Sequence, residues 1–247
     1  MGEVDGKVVV ITGAGSGMGK ASAKVFVREG ARAIIAADIS GAEQATAAEL
    51  GDAVIPIHCD VRSEAEVIAM MDAAVLQFGR IDAVLNVAGI GMGKKFLDIA
   101  RDDYDLGMDT MMRGVFLGTQ HGVKAMLRTG GGVVINWSSL AGLNASPRTS
   151  VYSAAKAGVI AVTKAAALEH GGDGIRVKAI CPGWVITEGM GKDIVYIKDE
   201  LEKKIPMHRV GEPMEIAEVA SFLCSARASY INGAVITVDG GYASRHP

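Results

Sequence analysis

Aromatic residues are scarce, at 5% of the 247-residue chain. A surface that stacks bases needs several in series, so nucleic-acid binding by stacking is disfavoured. Neither a basic tract nor an acidic tail is present, and the formal net charge is −3. A polyanion or a membrane surface is therefore not an expected partner. Cysteine is sparse too. Cys59, Cys181 and Cys224 are far apart and form no CxxC pair. They read as buried, reduced thiols of a cytoplasmic protein, not as a disulfide framework. No apolar stretch of about 18 residues stands out, so a membrane span is not expected. The early apolar run at 8–11 is too short for a secretion signal and leads into glycines. His121, His208 and Arg209 are isolated and read as surface or lid-packing residues, because no second metal ligand lies at useful spacing.

What the chain has instead is glycine, 32 residues, and 49% hydrophobic residues. Short apolar runs at 7–12, 33–37, 54–56, 83–86, 132–136, 176–180 and 234–238 read as strands. They alternate with helical patterns at 17–29, 41–50, 64–78, 104–128, 150–170 and 214–223. Apolar strands covered on both faces, alternating with helices, imply right-handed crossovers and a parallel sheet. The expectation is one doubly wound α/β domain over 1–247. The stretch 187–209 breaks the rhythm with Gly, Met, Tyr and many charges, and reads as an inserted lid.

Residues 12–19 read TGAGSGMG, directly after a strand and before a helix. Gly13, Gly17 and Gly19 leave room for a backbone to approach a phosphate. The helix that follows offers its N-terminal N–H groups to it. Asp38 closes the second strand, where a carboxylate accepts hydrogen bonds from ribose hydroxyls and repels a 2′-phosphate. Ser16 stands where a basic loop residue would welcome that phosphate. Both point to NAD over NADP.

Tyr152 and Lys156 lie four apart in YSAAK, on one face of a helical pattern. A phenol titrates near about 10. A neighbouring ammonium, together with the positive charge of oxidised nicotinamide, is expected to lower that value and fit Tyr152 for general acid–base work.

The chain resembles the short-chain dehydrogenase/reductase family along essentially its whole length. The resemblance is carried by TGAGSGMG, Asp38, Asp60–Val61, NVAG at 86–89, Ser138–Ser139, YSAAK, PGWVIT at 182–187 and VDGG at 238–241. It implies a Rossmann fold and a hydride exchanged between NAD(H) and an alcohol or ketone. It also implies a catalytic set of Ser139, Tyr152 and Lys156, with Ser139 steadying the substrate oxygen; Ser138 is the neighbouring alternative. Lys156 would also hold the nicotinamide ribose. Ser16, Met18 and Ile39 would join the glycines and Asp38 around the cofactor. Asp60 and Val61 would meet the adenine. Asn86, Ala88 and Gly89 would support it by close backbone approach. Pro182, Gly183, Val185 and Thr187 would hold the nicotinamide. A homotetramer is the implied assembly.

Two positions depart from the family pattern. Val87 replaces a frequent asparagine. Met111 replaces the asparagine that completes a proton relay behind the lysine, and a thioether is a poor substitute for an amide. For the substrate pocket, Ile90, Met92, Leu143, Trp184, Met190 and Met207 suggest an apolar, medium-sized alcohol or ketone over a sugar or a charged acid. The alternatives are a 3-oxoacyl-thioester reductase, against which Ser16 and Asp38 argue, and a nucleotide-binding protein with impaired chemistry, for which only Met111 speaks.

Overall fold

A computed structural model of the chain describes residues 2–188 and 193–244. Among these, seven strands form one parallel sheet of order β3-β2-β1-β4-β5-β6-β7. The strands are β1 Val8–Thr12, β2 Ala33–Asp38, β3 Val54–His58, β4 Ala83–Asn86, β5 Gly132–Trp137, β6 Ile175–Pro182 and β7 Val235–Val238. The helices are α1 Gly17–Arg28, α2 Glu43–Leu50, α3 Glu64–Phe78, α4 Arg101–Met108, α5 Gly114–Thr129, α6 Ser150–His170, α7 Asp193–Lys204 and α8 Pro213–Cys224.

Strand side chains alternate between faces, and here both faces are apolar. Val9, Ile11, Ile34, Leu85 and Ile135 join a core with α1 and α8. Val8, Val10, Ile35, Val84 and Val134 join another with α3 and α5. Each such buried side chain contributes about 1.5–3 kcal/mol. The central strand, β1, has β2 on one side and β4 on the other. Chain connections therefore diverge at their carboxyl ends, and the crevice between them is where such sheets take ligands.

The expected single helix over 104–128 is two helices. A π-helical turn, Asp109–Arg113, joins α4 to α5, with Gly114 N–H donating to the Asp109 carbonyl. Met111, in that turn, is fully buried. In the lid region the structure places α7.

By length and composition the stretch Ser150–Asp173 is apolar enough to cross a bilayer, contrary to the reading above. Here it is a core helix. Val151, Ala155, Val159, Ile160 and Ala167 of α6 are buried, and so is the charged Lys156. His121 also differs from expectation. It is buried on α5, with Nε2 3.0 Å from Glu64 Oε1 of α3. The three cysteines are free and buried.

Candidate active site

The turn after β1 is shaped by close approaches. Gly13 has φ +70°, a region costly for residues with a Cβ. A Cβ on Gly19 would stand 2.0 Å from the Gly13 carbonyl oxygen, and one on Gly13 would stand 2.9 Å from Ala88 Cα. The turn is tied across the switch point by Thr12 Oγ1, which accepts from Val87 N–H (3.1 Å) and Ala88 N–H (3.2 Å). Ser16 precedes α1 without capping it by its side chain, and the first turn carries no acid. The leading N–H groups are thus left for an external acceptor.

Asp38, at the end of β2, faces this turn. Its Oδ2 accepts from Gly15 N–H (2.9 Å), and its Oδ1 accepts from the Ser40 N–H (2.9 Å) and hydroxyl (2.7 Å). Ile39 beside it is exposed. Asp60 is held by a fork of bonds from Arg62, and that guanidinium lowers its pKa. Val61 is buried. Across the crevice, Gly183 N–H donates to the Val238 carbonyl (3.0 Å), and Val185 bridges to Gly211. Thr187 comes close to Gly17; a Cβ there would lie 3.3 Å from its side chain. Met18 packs against the core under α1. Gly13, Gly15, Gly17, Asp38, Ala88 and Thr187 therefore approach one another around one crevice, and a glycine cradle that a Cβ would crowd suits a dinucleotide.

Asn86 belongs to a buried polar chain that the sequence did not reveal. Its Nδ2 donates to Asn136 Oδ1 (2.8 Å), Thr119 Oγ1 donates to the same oxygen (3.1 Å), and Asn136 Nδ2 donates to Thr163 Oγ1 (3.0 Å). The chain fastens β4, β5, α5 and α6 together below the reacting groups. The four positions lie on separate elements far apart in the sequence, so their polar partners could not be paired from it.

Tyr152 and Lys156 share a face of α6, as expected, with the ammonium 5.8 Å from the ring centroid. Their electrostatics are not as expected. Burial raises the Tyr152 phenol above its ordinary value, against a smaller lowering by the Ser139 hydroxyl bonded to it. Lys156 is desolvated as well: burial lowers its pKa to about 8, and its Nζ donates to the Trp137 carbonyl (2.8 Å). Desolvation wins over the charge–charge effect read from the spacing.

The two serines have separate roles. Ser138 is buried, and its Oγ donates to the Lys156 carbonyl (2.7 Å). Its hydroxyl is committed to holding α6. Ser139 Oγ accepts from Ala141 N–H (3.1 Å) and stands beside Tyr152. Met111 packs near both Gly89 and Lys156: a Cβ built on Gly89 would lie 3.6 Å from Lys156 Nζ and 3.9 Å from Met111 Cγ. Since Lys156 is anchored by a backbone carbonyl, Met111→Asn is expected to change kcat less than tenfold. A rise of tenfold, about 1.4 kcal/mol of barrier, would show instead that proton relay through this position limits turnover.

A cleft of about 270 Å³ opens beside Tyr152. Ile90, Met92, Ile99, Leu106 and Val151 line it, and so do Lys94, Asp103 and Arg148. Leu143, Trp184 and Met207, expected to share this pocket, do not line it. Trp184 and Met207 face a second hollow with Arg209 and Glu215, because the segment after β6 turns toward β7. Met190 lies outside the described residues. Arg148 closes the 140–148 segment that the family resemblance places at the pocket, but its charge runs against the expectation of an apolar substrate.

A sheet that opens at such a switch point, with a glycine turn and a carboxylate on its lip, defines the dinucleotide-binding α/β proteins. A family model described as enoyl-(acyl carrier protein) reductase matches residues 13–243. The meso-2,3-butanediol dehydrogenase of Serratia marcescens is 39% identical, over 96% of this chain and 94% of its own length. The D-threitol dehydrogenase of Mycolicibacterium smegmatis is 42% identical, over 97% and 94%. A crystal structure of 3-ketoacyl-(acyl-carrier-protein) reductase from Brucella melitensis, complexed with NADH, superposes with a TM-score of 0.90 at 34% identity, covering 97% of this chain and 99% of that one. The chain belongs to the short-chain dehydrogenase/reductase family. It is an oxidoreductase of alcohols and ketones that uses a nicotinamide cofactor.

Proposed function

We propose an NAD(H)-dependent dehydrogenase of small secondary alcohols and their ketones. The observation that carries this reading is the grouping of Ser139 and Lys156 around Tyr152, which lines the cleft, with Ser138 already committed elsewhere. A bound nicotinamide dinucleotide supplies the hydride acceptor or donor. The chain's own groups do the rest. Tyr152 takes the proton from the alcohol oxygen, or returns it to the carbonyl oxygen. Ser139 donates a hydrogen bond to that oxygen as charge develops. Lys156, held by the Trp137 carbonyl, fixes the phenol's surroundings and reaches the cofactor's ribose. Gly13, Ser16, Gly17, Met18 and Gly19 cradle the pyrophosphate, and Asp38 and Ile39 flank the adenosine ribose. Asp60 and Val61 border the adenine. Asn86, Ala88 and Gly89 back the cofactor, and Pro182, Gly183, Val185 and Thr187 hold the nicotinamide.

Asp38 supports NAD over NADP. A 2′-phosphate would bring like charges together, which costs several kcal/mol. Initial rates with both cofactors are expected to favour NAD by at least about a hundredfold; a preference for NADP would refute the assignment. A 3-oxoacyl-thioester reductase is the second reading, supported by the reductase from Brucella melitensis. Faster turnover of an acetoacetyl thioester than of any free ketone would favour it.

A cytoplasmic homotetramer completes the proposal. The apolar edge strand β7 is only partly buried, and Phe116, Leu127 and Leu168 are exposed on α5 and α6. Such faces favour a partner chain. Sedimentation is expected to give a multiple of the 25.6 kDa chain mass, and a monomer would overturn this part.

A further inference from the structure

Three charged side chains line the cleft beside Tyr152: Lys94, Asp103 and Arg148. Two of them cancel. Lys94 Nζ and Asp103 Oδ2 form an ion pair at 2.5 Å, and the same carboxylate accepts from Ala100 N–H (3.0 Å). Arg148 is left over. Among the described residues no carboxylate pairs with its guanidinium and no side-chain acceptor takes its N–H groups. Among the described residues the cleft therefore carries one positive charge, on the solvent-exposed Arg148, with no carboxylate set against it.

The backbone at this residue is itself unusual. Arg148 has φ +72°, a conformation in which a long side chain is strained by about 1–3 kcal/mol. Its carbonyl accepts from Lys94 N–H (2.9 Å), so the loop before α6 and the loop after β4 are joined at this residue. α6 begins at Ser150, so Arg148 and Tyr152 sit on adjoining parts of one rigid support. The remaining wall is aliphatic: Ile90, Met92, Ile99, Leu106 and Val151. A cleft of about 270 Å³ lies below the usual range for drug-sized ligands, about 300–1,000 Å³.

We infer that Arg148 is a specificity-determining residue for a short aliphatic hydroxy acid or its oxo acid. The substrate's carboxylate would face the guanidinium while its carbinol or carbonyl carbon stands at Tyr152. The inference rests on the dehydrogenase reading above and names the substrate class of that same cleft. One unbalanced cation matches a monoanion; a phosphate would bring in a second negative charge with nothing to meet it. Guanidinium and carboxylate also match in shape, each offering two parallel hydrogen-bonding positions. The same reasoning makes Arg148 a poor ligand for a purely hydrocarbon alcohol, which would leave it facing an apolar group.

The test compares acid with neutral isostere. Racemic 2- and 3-hydroxybutyrate are assayed against the corresponding hydroxybutyramides, following NADH formation. For at least one pair, kcat/KM of the wild-type enzyme is expected to favour the acid by about tenfold or more, the scale of one charge-assisted hydrogen bond. In Arg148→Asn that ratio is expected to fall to within about threefold of unity, with the loss in KM. Asparagine tolerates positive φ, so the variant removes the charge and keeps the turn. Arg148→Lys should retain part of the preference. A wild-type ratio near unity for both pairs, or one unchanged in Arg148→Asn, overturns the assignment. If the amides are oxidised but the acids are not, the dehydrogenase reading stands and the inference about Arg148 fails. If none of the four yields NADH while a neutral aliphatic diol does, the inference alone fails; if the diol is inert as well although NADH binds, both fail.

Discussion

Tyr152→Phe is expected to lower kcat/KM by about a hundred- to ten-thousand-fold, the range removed with a single general acid–base group. NADH affinity, read from fluorescence quenching, should stay within about threefold, because the ring and its packing against α6 remain. The pH dependence separates this from a general loss of fold. The phenolate is the base form, so alcohol oxidation should rise with pH and ketone reduction should fall. Burial raises the Tyr152 pKa in the free chain, which places its limb on the alkaline side. A cationic group bound beside the phenol draws that pKa down. The limb assigned to Tyr152 should be missing from the residual activity of the phenylalanine variant. A variant that keeps wild-type turnover, or an unchanged profile, would remove Tyr152 from the chemistry.

Gly19→Ala is expected to have the other large effect, by a steric route. Its new Cβ would stand 2.0 Å from the Gly13 carbonyl oxygen, which is backbone and cannot swing away. Either α1 slides along the sheet or the turn after β1 opens. Overpacking of this kind costs about 1–3 kcal/mol, which for a chain of this size corresponds to a fall in Tm of about 2–12 °C. The turn is also the proposed phosphate cradle, so dinucleotide affinity should fall by about a hundredfold or more. Differential scanning calorimetry with and without NAD reads both effects. An unchanged Tm and an unchanged NAD-induced shift would mean that the turn relaxes freely and that the tight approach is not needed.

Much of the fold is legible in the sequence because β-strands and helices of this type carry their own punctuation. The runs ending at Thr12, Asp38 and Asn86 stop where the sheet stops, and each is followed by turn residues. The pair Tyr152 and Lys156 is legible for the same local reason, four residues on one helix face. What depends on distant chain segments is less so. The π-turn at Asp109–Arg113 has no sequence mark that separates it from the helices on either side. Ser138 and Ser139 are chemically alike, and only the approach of the Lys156 carbonyl distinguishes them. Trp184 and Met207 look like lid residues of the Tyr152 cleft, yet the path of the chain after β6 takes them to another hollow. Burial raises the Tyr152 pKa in the free chain, an effect hidden from the sequence, where charge spacing is visible and desolvation is not.

Lys156 is anchored by the main chain at Trp137, not by a side chain. Substitution scanning cannot remove a carbonyl. Trp137→Ala would register as a packing defect, about 3–5 kcal/mol for a large buried aromatic, and the oxygen that steadies the ammonium would survive it. Position 137 can therefore exchange one side chain for another while its contribution to the site persists. Replacing the peptide link that follows Trp137 with an ester weakens that carbonyl as an acceptor without touching any side chain, so backbone chemistry is the tool that reaches this contact.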